Sequence, residues 1–175
     1  VGKLLEEVKS REAMGYAYEG ADASFELLAR RLLGEVPHYF NVDSFRVIVE
    51  KRHNALGNMI TVSEASVRVF IDGDADPIWS VAEGNGPVNA LDSALRKDLG
   101  RYQDFLKDVE LADFKVRILT GGTEAVTRVL VESRDKATGE RWSTVGVSPN
   151  IVDASFEALI DSIIYKLMKS GAQAA

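Results

Sequence analysis

Two loops carry the residue types best suited to hold a small charged ligand, and each joins a predicted strand to a predicted helix. The first loop contains Gly84, Asn85, Gly86, Pro87 and Val88, and the second runs from Gly146 to Asn150 and includes Pro149. Glycine lets backbone N–H groups approach a ligand closely, and a helix N-terminus attracts an anion such as a carboxylate. If the two loops face one another, they could enclose a small zwitterion.

Helix capping is the alternative role for these loops. Asn89 and Asn150 are good N-cap residues, and Asp92 and Asp153 follow them at a distance where a negative charge complements the helix dipole. At this point both roles stay open.

An apolar wall beside the loops would bind the side chain of such a zwitterion. Leu111, Phe114 and Ile118 are candidates, because strict alternation is broken in this part of the predicted strand. Packing in the protein core is the alternative role for these three residues.

The sequence indicates no catalytic residue and no metal ligand set. The two histidines, His38 and His53, are isolated, and there is no cysteine. Neither a Ser-His nor a Cys-His nucleophile is therefore suggested, and no histidine or cysteine pair has the spacing of a zinc site. The acidic run Asp72–Asp76 resembles a calcium loop, but Pro77 occupies the position that requires glycine. We expect a solvated turn there.

Composition limits the function classes. The chain has 175 residues, 46% of them hydrophobic, and a net charge of −6. It can bury a real core, but it offers no basic surface for nucleic acid or for anionic lipid. The absence of cysteine is compatible with a reducing cytoplasm, which is the expected location, and no stretch predicts a membrane span. Since the sequence begins with Val1, we expect a piece of a longer polypeptide.

The element pattern is strand, strand, strand, helix, repeated twice after an N-terminal helical segment. The first repeat is predicted at 45–52, 64–72, 78–82 and 88–99, and the second at 109–119, 125–133, 142–147 and 150–168. The fold class is therefore α+β, with two pseudo-symmetric βββα units. Before them we expect a helix over 1–14 and a second helix that is capped by Asp22 or Ser24 and buries Phe25, Leu28 and Leu32.

Internal sequence similarity supports the two units. The residues Trp79-Ser80, Gly84, Pro87 and Asp92 recur as Trp142-Ser143, Gly146, Pro149 and Asp153. Phe45-Arg46-Val47 also resembles Phe114-Lys115-Val116, and Ala65-x-x-Arg68-Val69 matches Ala125-x-x-Arg128-Val129. Several matches in the same order make a chance origin unlikely. The copies differ at the loops, so a ligand would be held asymmetrically.

These motifs also resemble a known family. Residues 79–90 (with Trp79 and Gly84-Asn85-Gly86-Pro87-Val88-Asn89-Ala90) and residues 142–155 (with Gly146-Val147-Ser148-Pro149-Asn150-Ile151) are similar to the allosteric domain of the 2-isopropylmalate synthase and citramalate synthase enzymes. The stretch from Gly15-Tyr16-Ala17-Tyr18 to Leu28 resembles the segment preceding that domain in the citramalate synthase branch, which we therefore favour.

The resemblance implies a parent acyltransferase and a division of this chain. Residues 1–40 would be a helical linker following a catalytic (β/α)8 barrel that is absent here, and residues 41–175 an amino-acid-binding dimerisation domain. The parent would condense acetyl-CoA with pyruvate or 2-oxoisovalerate at a divalent metal. Acetyl-CoA and the metal would belong to the barrel, so this chain would hold no cofactor.

The resemblance further implies that isoleucine or leucine binds as a feedback inhibitor near the interface of a homodimer. Its residues, by matching position, would be Gly84, Asn85, Gly86, Pro87, Val88, Leu111, Phe114, Ile118, Ala125, Pro149, Asn150 and Ile151. A tyrosine is common at the position of Phe114 in the family, so a polar contact there would be lost. A dimerisation module without an effector is the alternative function.

Overall fold

The computed structural model describes residues 2–119 and 125–175, and these form two compact units. The elements in chain order are α1 (Gly2–Ala13), α2 (Asp22–Leu32), β1 (Phe40–His53), β2 (Met59–Ile71), β3 (Ile78–Gly84), α3 (Pro87–Lys97), α4 (Gln103–Leu106, after a 3₁₀ turn at Gly100–Tyr102), β4 (Val109–Ile118), β5 (Thr127–Asp135), β6 (Arg141–Ser148) and α5 (Ile151–Lys169). We call residues 38–107 with 173–175 the first unit, and residues 2–37 with 108–172 the second unit.

Each unit contains one antiparallel three-stranded sheet, in the orders β1-β2-β3 and β4-β5-β6. Helix α3 packs on the first sheet, and α5 packs on β5 and β6 of the second. The predicted α+β fold of two βββα units is confirmed. The predicted domain division at residue 40 stays a prediction, because compact units are defined by contacts and domains by independent folding.

Each sheet has a β-bulge at the same place in its first strand, and this bulge shows which residues of the two sheets correspond. The pairing of β1 with β2 shifts between Val42 and Ser44, and that of β4 with β5 shifts between Leu111 and Asp113. A β-bulge inserts one unpaired residue and bends the strand. Counted from this bulge, Phe45 corresponds to Phe114, as the sequence comparison predicts.

The predicted equivalence of the two tryptophans is wrong by one residue. The row Phe45–Val67–Ser80 corresponds to Phe114–Val131–Thr144, so Trp79 corresponds to Ser143. Since side chains alternate between the faces of a strand, a shift of one residue reverses the face. Trp79 is 65% exposed, whereas Trp142 is 2% exposed and donates its indole N–H to the Ser162 carbonyl at 3.1 Å.

The same counting corrects the match of Ala65 with Ala125. Ala65 pairs with Val47 on the buried face of the first sheet, and its counterpart by register is Val129, which pairs with Val116. The residues Ala125-x-x-Arg128 lie earlier in the chain than this counterpart, and β5 begins only at Thr127. The sequence similarity is therefore not a structural equivalence.

Helix α2 lies against β6 and α5 in the second unit. Its N-cap is Ala21, with no side-chain cap, so neither Asp22 nor Ser24 caps it as predicted. Both side chains instead accept backbone N–H bonds from β6, Asp22 from Ser143 at 3.3 Å and Ser24 from Val145 at 3.0 Å. Free N–H groups on an edge strand invite pairing with other chains, and these contacts satisfy two of them.

The buried face of α2 also differs from the prediction. It consists of Ala23, Ser24, Leu27 and Leu28, whereas Phe25 and Leu32 are exposed. In the described residues, no helix is long and apolar enough to cross a membrane.

Candidate ligand-binding site

An open apolar groove lies at one end of the second sheet. It has a volume of about 310 Å³. It is lined by Val116, Ile118, Ala125, Thr127, Pro149 and Ile151. Four of the sequence-predicted site residues, Ile118, Ala125, Pro149 and Ile151, therefore come together in it.

The groove exists because α5 leaves part of the sheet uncovered. The inward-facing residues of β5, such as Val129 and Val131, are fully buried. Their neighbours on β4 face the same side but lie at the sheet edge, so Val116 is 36% and Ile118 70% exposed. Large exposed apolar side chains in one patch mark an interaction site. The core-packing alternative is therefore wrong for Ile118.

Sequence reasoning missed Val116 and Thr127 in this groove. Val116 lies two residues from both Phe114 and Ile118, so the period of a strand places all three on one face. Leu111 shares that face, because the bulge between it and Phe114 restores the alternation. Leu111 and Phe114 are half-buried farther along β4 and do not line the groove.

The second loop combines capping with groove lining. The Asn150 side chain accepts bonds from the N–H groups of Val152 at 2.9 Å and Asp153 at 3.2 Å, so its predicted capping role is confirmed. Asp153 also lies in the first turn of α5, where it complements the helix dipole. Pro149 and Ile151, on either side of the cap, both face the groove.

The first loop begins α3 differently. The N-cap is Gly86 and Pro87 is the first helical residue, a favoured position for proline. Asn89 therefore lies inside the helix, and its predicted capping role is wrong. Its side-chain oxygen instead accepts from the Asn85 N–H at 3.1 Å. Helix α3 has no side-chain cap and no acidic residue in its first turn. Its first intrahelical bond runs from the Ala90 N–H to the Gly86 carbonyl, so the N–H groups of Val88 and Asn89 are open to an anion.

The two glycines of the first loop have different requirements. A Cβ on Gly84 would lie 2.4 Å from the Ala90 nitrogen, so packing of α3 onto β3 explains this glycine. A Cβ on Gly86 would meet nothing within 4 Å, and its φ of −164° is open to any residue. The fold therefore does not require glycine at position 86.

Asp92 has a role other than the predicted one. It is buried in α3 beyond the first turn and forms a bidentate ion pair with Arg96. This pair holds one turn of the helix together, since residues four apart lie on the same face.

A cluster of polar groups lies at the β6 edge of the second sheet, where α5 meets the residues that precede α2. Glu157 of α5 accepts from the Tyr16 hydroxyl and from the Val147 N–H, the latter at 3.2 Å. Burial raises the pKa of the Glu157 carboxyl, and it also raises the pKa of the Tyr16 hydroxyl, with the Glu157 bond adding to that shift. Both groups line a polar cavity of about 210 Å³.

Among residues 2–119 and 125–175, no group of three or more His, Asp or Glu side chains could hold a metal ion. The expectation that a metal and acetyl-CoA belong to another part of the parent protein stays a prediction.

Comparison with known proteins agrees with the sequence resemblance. Residues 19–167 match the family model described as the LeuA allosteric (dimerisation) domain. The chain is 52% identical over 170 residues to an (R)-citramalate synthase of Geobacter sulfurreducens, with 96% of this chain and 31% of that protein covered. A second (R)-citramalate synthase, from Aquifex aeolicus, is 47% identical over 170 residues, with coverages of 95% and 31%.

Similarity to the other branch is weaker. A 2-isopropylmalate synthase of Pyrococcus furiosus is 30% identical over 142 residues, covering 81% of this chain and 25% of that protein. The chain thus spans about a third of the length of the citramalate synthases that it matches, at 31% of each.

Proposed function

Because this chain belongs to the LeuA allosteric (dimerisation) domain family, we propose that it is the regulatory region of a citramalate synthase and binds a branched-chain amino acid. The groove of the second unit carries this proposal. It is apolar, open and lined by Ile118, Thr127, Pro149 and Ile151. Ligand sites are typically concave and mainly apolar, with a few polar groups that fix orientation.

The side chain of the amino acid would lie in the groove. The walls offer methyl and methylene groups from Val116, Ile118 and Ile151, together with the ring of Pro149. Such a surface suits the branched side chains of isoleucine, leucine and valine. One methylene in an apolar pocket changes the binding free energy by about 1–3 kcal/mol, so selection among these amino acids depends on the fit of individual contacts.

The open amides at the start of α3 support a role for the first loop. A carboxylate is attracted by a helix N-terminus, and α3 lacks the side-chain cap that α5 has in Asn150. We therefore include the first loop in the proposed effector site, with residues Gly84, Asn85, Gly86, Pro87 and Val88. The variant Gly86→Leu tests the first unit, and Ile118→Asp tests the second.

In the parent protein, we assign the reaction to the part of the polypeptide outside this chain. That part would condense acetyl-CoA with pyruvate at a divalent metal, in keeping with the relatives' description as citramalate synthases. Isoleucine is the proposed inhibitor in that case, because citramalate synthase would act in isoleucine biosynthesis.

Calorimetric titration of this chain with isoleucine, leucine and valine tests the proposal. We expect saturable heat with at least one of them, and isoleucine is expected to bind most tightly. Absence of heat with all three, in a sample shown to be folded by circular dichroism, would overturn effector binding.

Homodimerisation is the second part of the proposal. The exposed face of β4, with Val116 and Ile118, would be partly covered by a second copy. Sedimentation equilibrium should therefore give twice the mass of the 19.2 kDa chain. A dimer that ignores all three amino acids would favour the alternative, a dimerisation module without an effector.

A further inference from the structure

We propose that residues Gly15–Ser24, here called the docking segment, sense the groove through the backbone of the second sheet, with the Tyr16–Glu157 bond as the coupling contact. This inference rests on the proposed function and adds its transmission route. The docking segment joins α1 to the start of α2. All its contacts described below are made within the second unit.

The groove and the docking segment lie on opposite sides of the same backbone positions. Ile118, Ala125 and Pro149 line the groove. A Cβ on Gly15 would lie 2.7 Å from a methyl carbon of Leu119, 3.6 Å from one of Val126 and 3.4 Å from one of Val147. Leu119 and Val126 directly follow groove residues, and Val147 precedes Pro149 by two positions.

A close fit makes Gly15 sensitive to these neighbours. Its φ of +110° is a conformation that other residues rarely adopt. Since interiors are close-packed, a small displacement of the strand ends must move or loosen Gly15. Gly15 has no side chain whose rotation could accommodate a displacement of the strand ends.

Three hydrogen bonds fix the segment to the same strands and helix. Arg128 donates from Nε to the Gly15 carbonyl at 2.7 Å, and Arg128 follows the groove residue Thr127 on β5. The Tyr16 hydroxyl donates to Glu157, and Ser24 donates to Asp161 at 3.0 Å. Glu157 and Asp161 lie on α5, the helix that Ile151 begins at the groove.

Glu157 is the central group because it joins three elements. One carboxylate oxygen accepts from the Val147 N–H on β6, and the other accepts from Tyr16. Hydrogen bonds weaken steeply with distance and angle. A ligand that fixes Pro149 and Ile151 restrains the end of β6 and the start of α5, and so stabilises the Tyr16–Glu157 contact.

Allosteric coupling requires two states of the protein for which the effector has different affinities. The two states are a docked and a loosened segment, and an effector shifts them only by binding one better than the other. Occupation of the groove favours the docked state. The docking segment joins α1 to α2, so its loosening weakens the attachment of α1, which otherwise contacts α2.

Hydrogen exchange of the backbone amides tests this route in the chain itself. With saturating isoleucine, peptides covering 16–24 should exchange about fivefold more slowly, a factor at the lower end of ordinary allosteric coupling. Tyr16→Phe keeps the aromatic stacking on Tyr18 but removes the hydroxyl that donates to Glu157. In this variant isoleucine should still give heat in calorimetry, and exchange over 16–24 should no longer respond.

Tyr18→Phe is the matched control. The Tyr18 hydroxyl interacts with Arg11, on the same N-terminal segment, so this variant should respond like the unmodified chain. Arg128→Met is a second variant, which removes the bond to the Gly15 carbonyl. Arg128→Met should also reduce the slowing of exchange over 16–24 by isoleucine. Circular dichroism should show that all three variants are folded.

The outcomes separate the two proposals. No heat with the unmodified chain overturns effector binding and the transmission route with it. Heat without slower exchange over 16–24 overturns the transmission route alone. An undiminished response in folded Tyr16→Phe overturns the role of the Tyr16–Glu157 bond.

Discussion

The two βββα units share strand order, helix position and a β-bulge, but they use corresponding positions in different ways. In the second unit, α2 covers β6, and Val145 on the outward face of this strand is buried. In the first unit, the outward-facing Trp79 and Val81 of β3 are exposed. A common fold thus leaves each unit free to develop its own surface, which is where function resides.

Their helix starts differ in the same way. Helix α5 is capped by Asn150 and has Asp153 in its first turn, so its amides and its dipole are already satisfied. Helix α3 begins at Gly86-Pro87 without a side-chain cap. The second unit therefore provides an apolar groove, and the first provides an unsatisfied helix N-terminus.

The largest expected difference concerns the two tryptophans. Trp142→Ala removes a buried ring and its hydrogen bond to Ser162, so it should lower the free energy of unfolding by about 3–5 kcal/mol. Trp79→Ala removes an exposed ring and should cost about 1 kcal/mol or less. Urea unfolding followed by circular dichroism measures both. Equal losses would contradict the assignment of the two rings to opposite faces.

The next largest expected difference in stability concerns how closely the helix packs on the sheet in each unit. A Cβ on Gly146 would lie 1.9 Å from the Ala154 carbonyl oxygen of α5. Its counterpart by register, Ala82, already carries a Cβ in the first unit. Gly146→Ala should therefore cost about 1–3 kcal/mol through overpacking. Gly86→Ala, where a Cβ meets open space, is the control and should cost less, because only the N-cap preference for glycine over alanine is lost.

Gly86→Leu separates folding from binding in the first loop. Because position 86 has room and an extended backbone, only the N-cap preference for glycine is lost, and the thermal midpoint should fall by about 2–4 °C at most. The side chain would cover the open amides of α3, and we expect isoleucine affinity to fall about tenfold, or about 1.4 kcal/mol. Unchanged affinity in calorimetry would remove the first loop from the effector site.

The smallest expected effect is a pH dependence specific to the second unit. Burial raises the pKa of Glu157 above the ordinary 4.5; Tyr16 and the Val147 N–H oppose this shift, as does the more distant Arg11, while Asp161 adds to it. A carboxyl with a raised pKa binds more protons in the folded state, so its contribution to stability is lost as the pH rises through that pKa.

Glu157→Gln should remove this dependence. The stability of the unmodified chain relative to the variant should be greater near pH 5 than near pH 8, as urea midpoints at the two values would show. A constant difference between the two proteins would contradict a raised pKa in the folded state. The substitution Glu132→Gln, at an exposed ion pair with Arg141, serves as a control for general charge effects.

The order of strands and helices in the two units was predicted from the sequence because period and turn residues act locally, but β1 and β2 begin earlier than predicted, at Phe40 and Met59. The final helix, expected at 150–168, is observed at Ile151–Lys169, and the Asn150 cap follows from a local hydrogen bond. The predicted equivalence of Trp79 and Trp142 was wrong because it rested on residue identity alone. The register of a sheet is determined by its bulge and its partner strand.

The candidate site was only partly predictable for a related reason. Ile118 and Pro149 were expected at a site, but whether Ile118 is covered depends on where α5 crosses the sheet. The contacts of the docking segment could not be predicted from the sequence, since Gly15 and Tyr16 meet β6 and α5 only after long-range folding. Local patterns carry no information about such contacts.

Titration of Ile118→Asp with isoleucine is the decisive test of whether the groove of the second unit binds a branched-chain amino acid. Ile118 is 70% exposed in the single chain, so the variant should fold normally. At a concentration where sedimentation gives both proteins the same mass, a charge in the groove should abolish the calorimetric signal seen with the unmodified chain. Leu56→Asp, at an exposed turn residue of the first unit, is the control and should bind normally. Undiminished binding of isoleucine to folded Ile118→Asp would show that the groove is not the effector site.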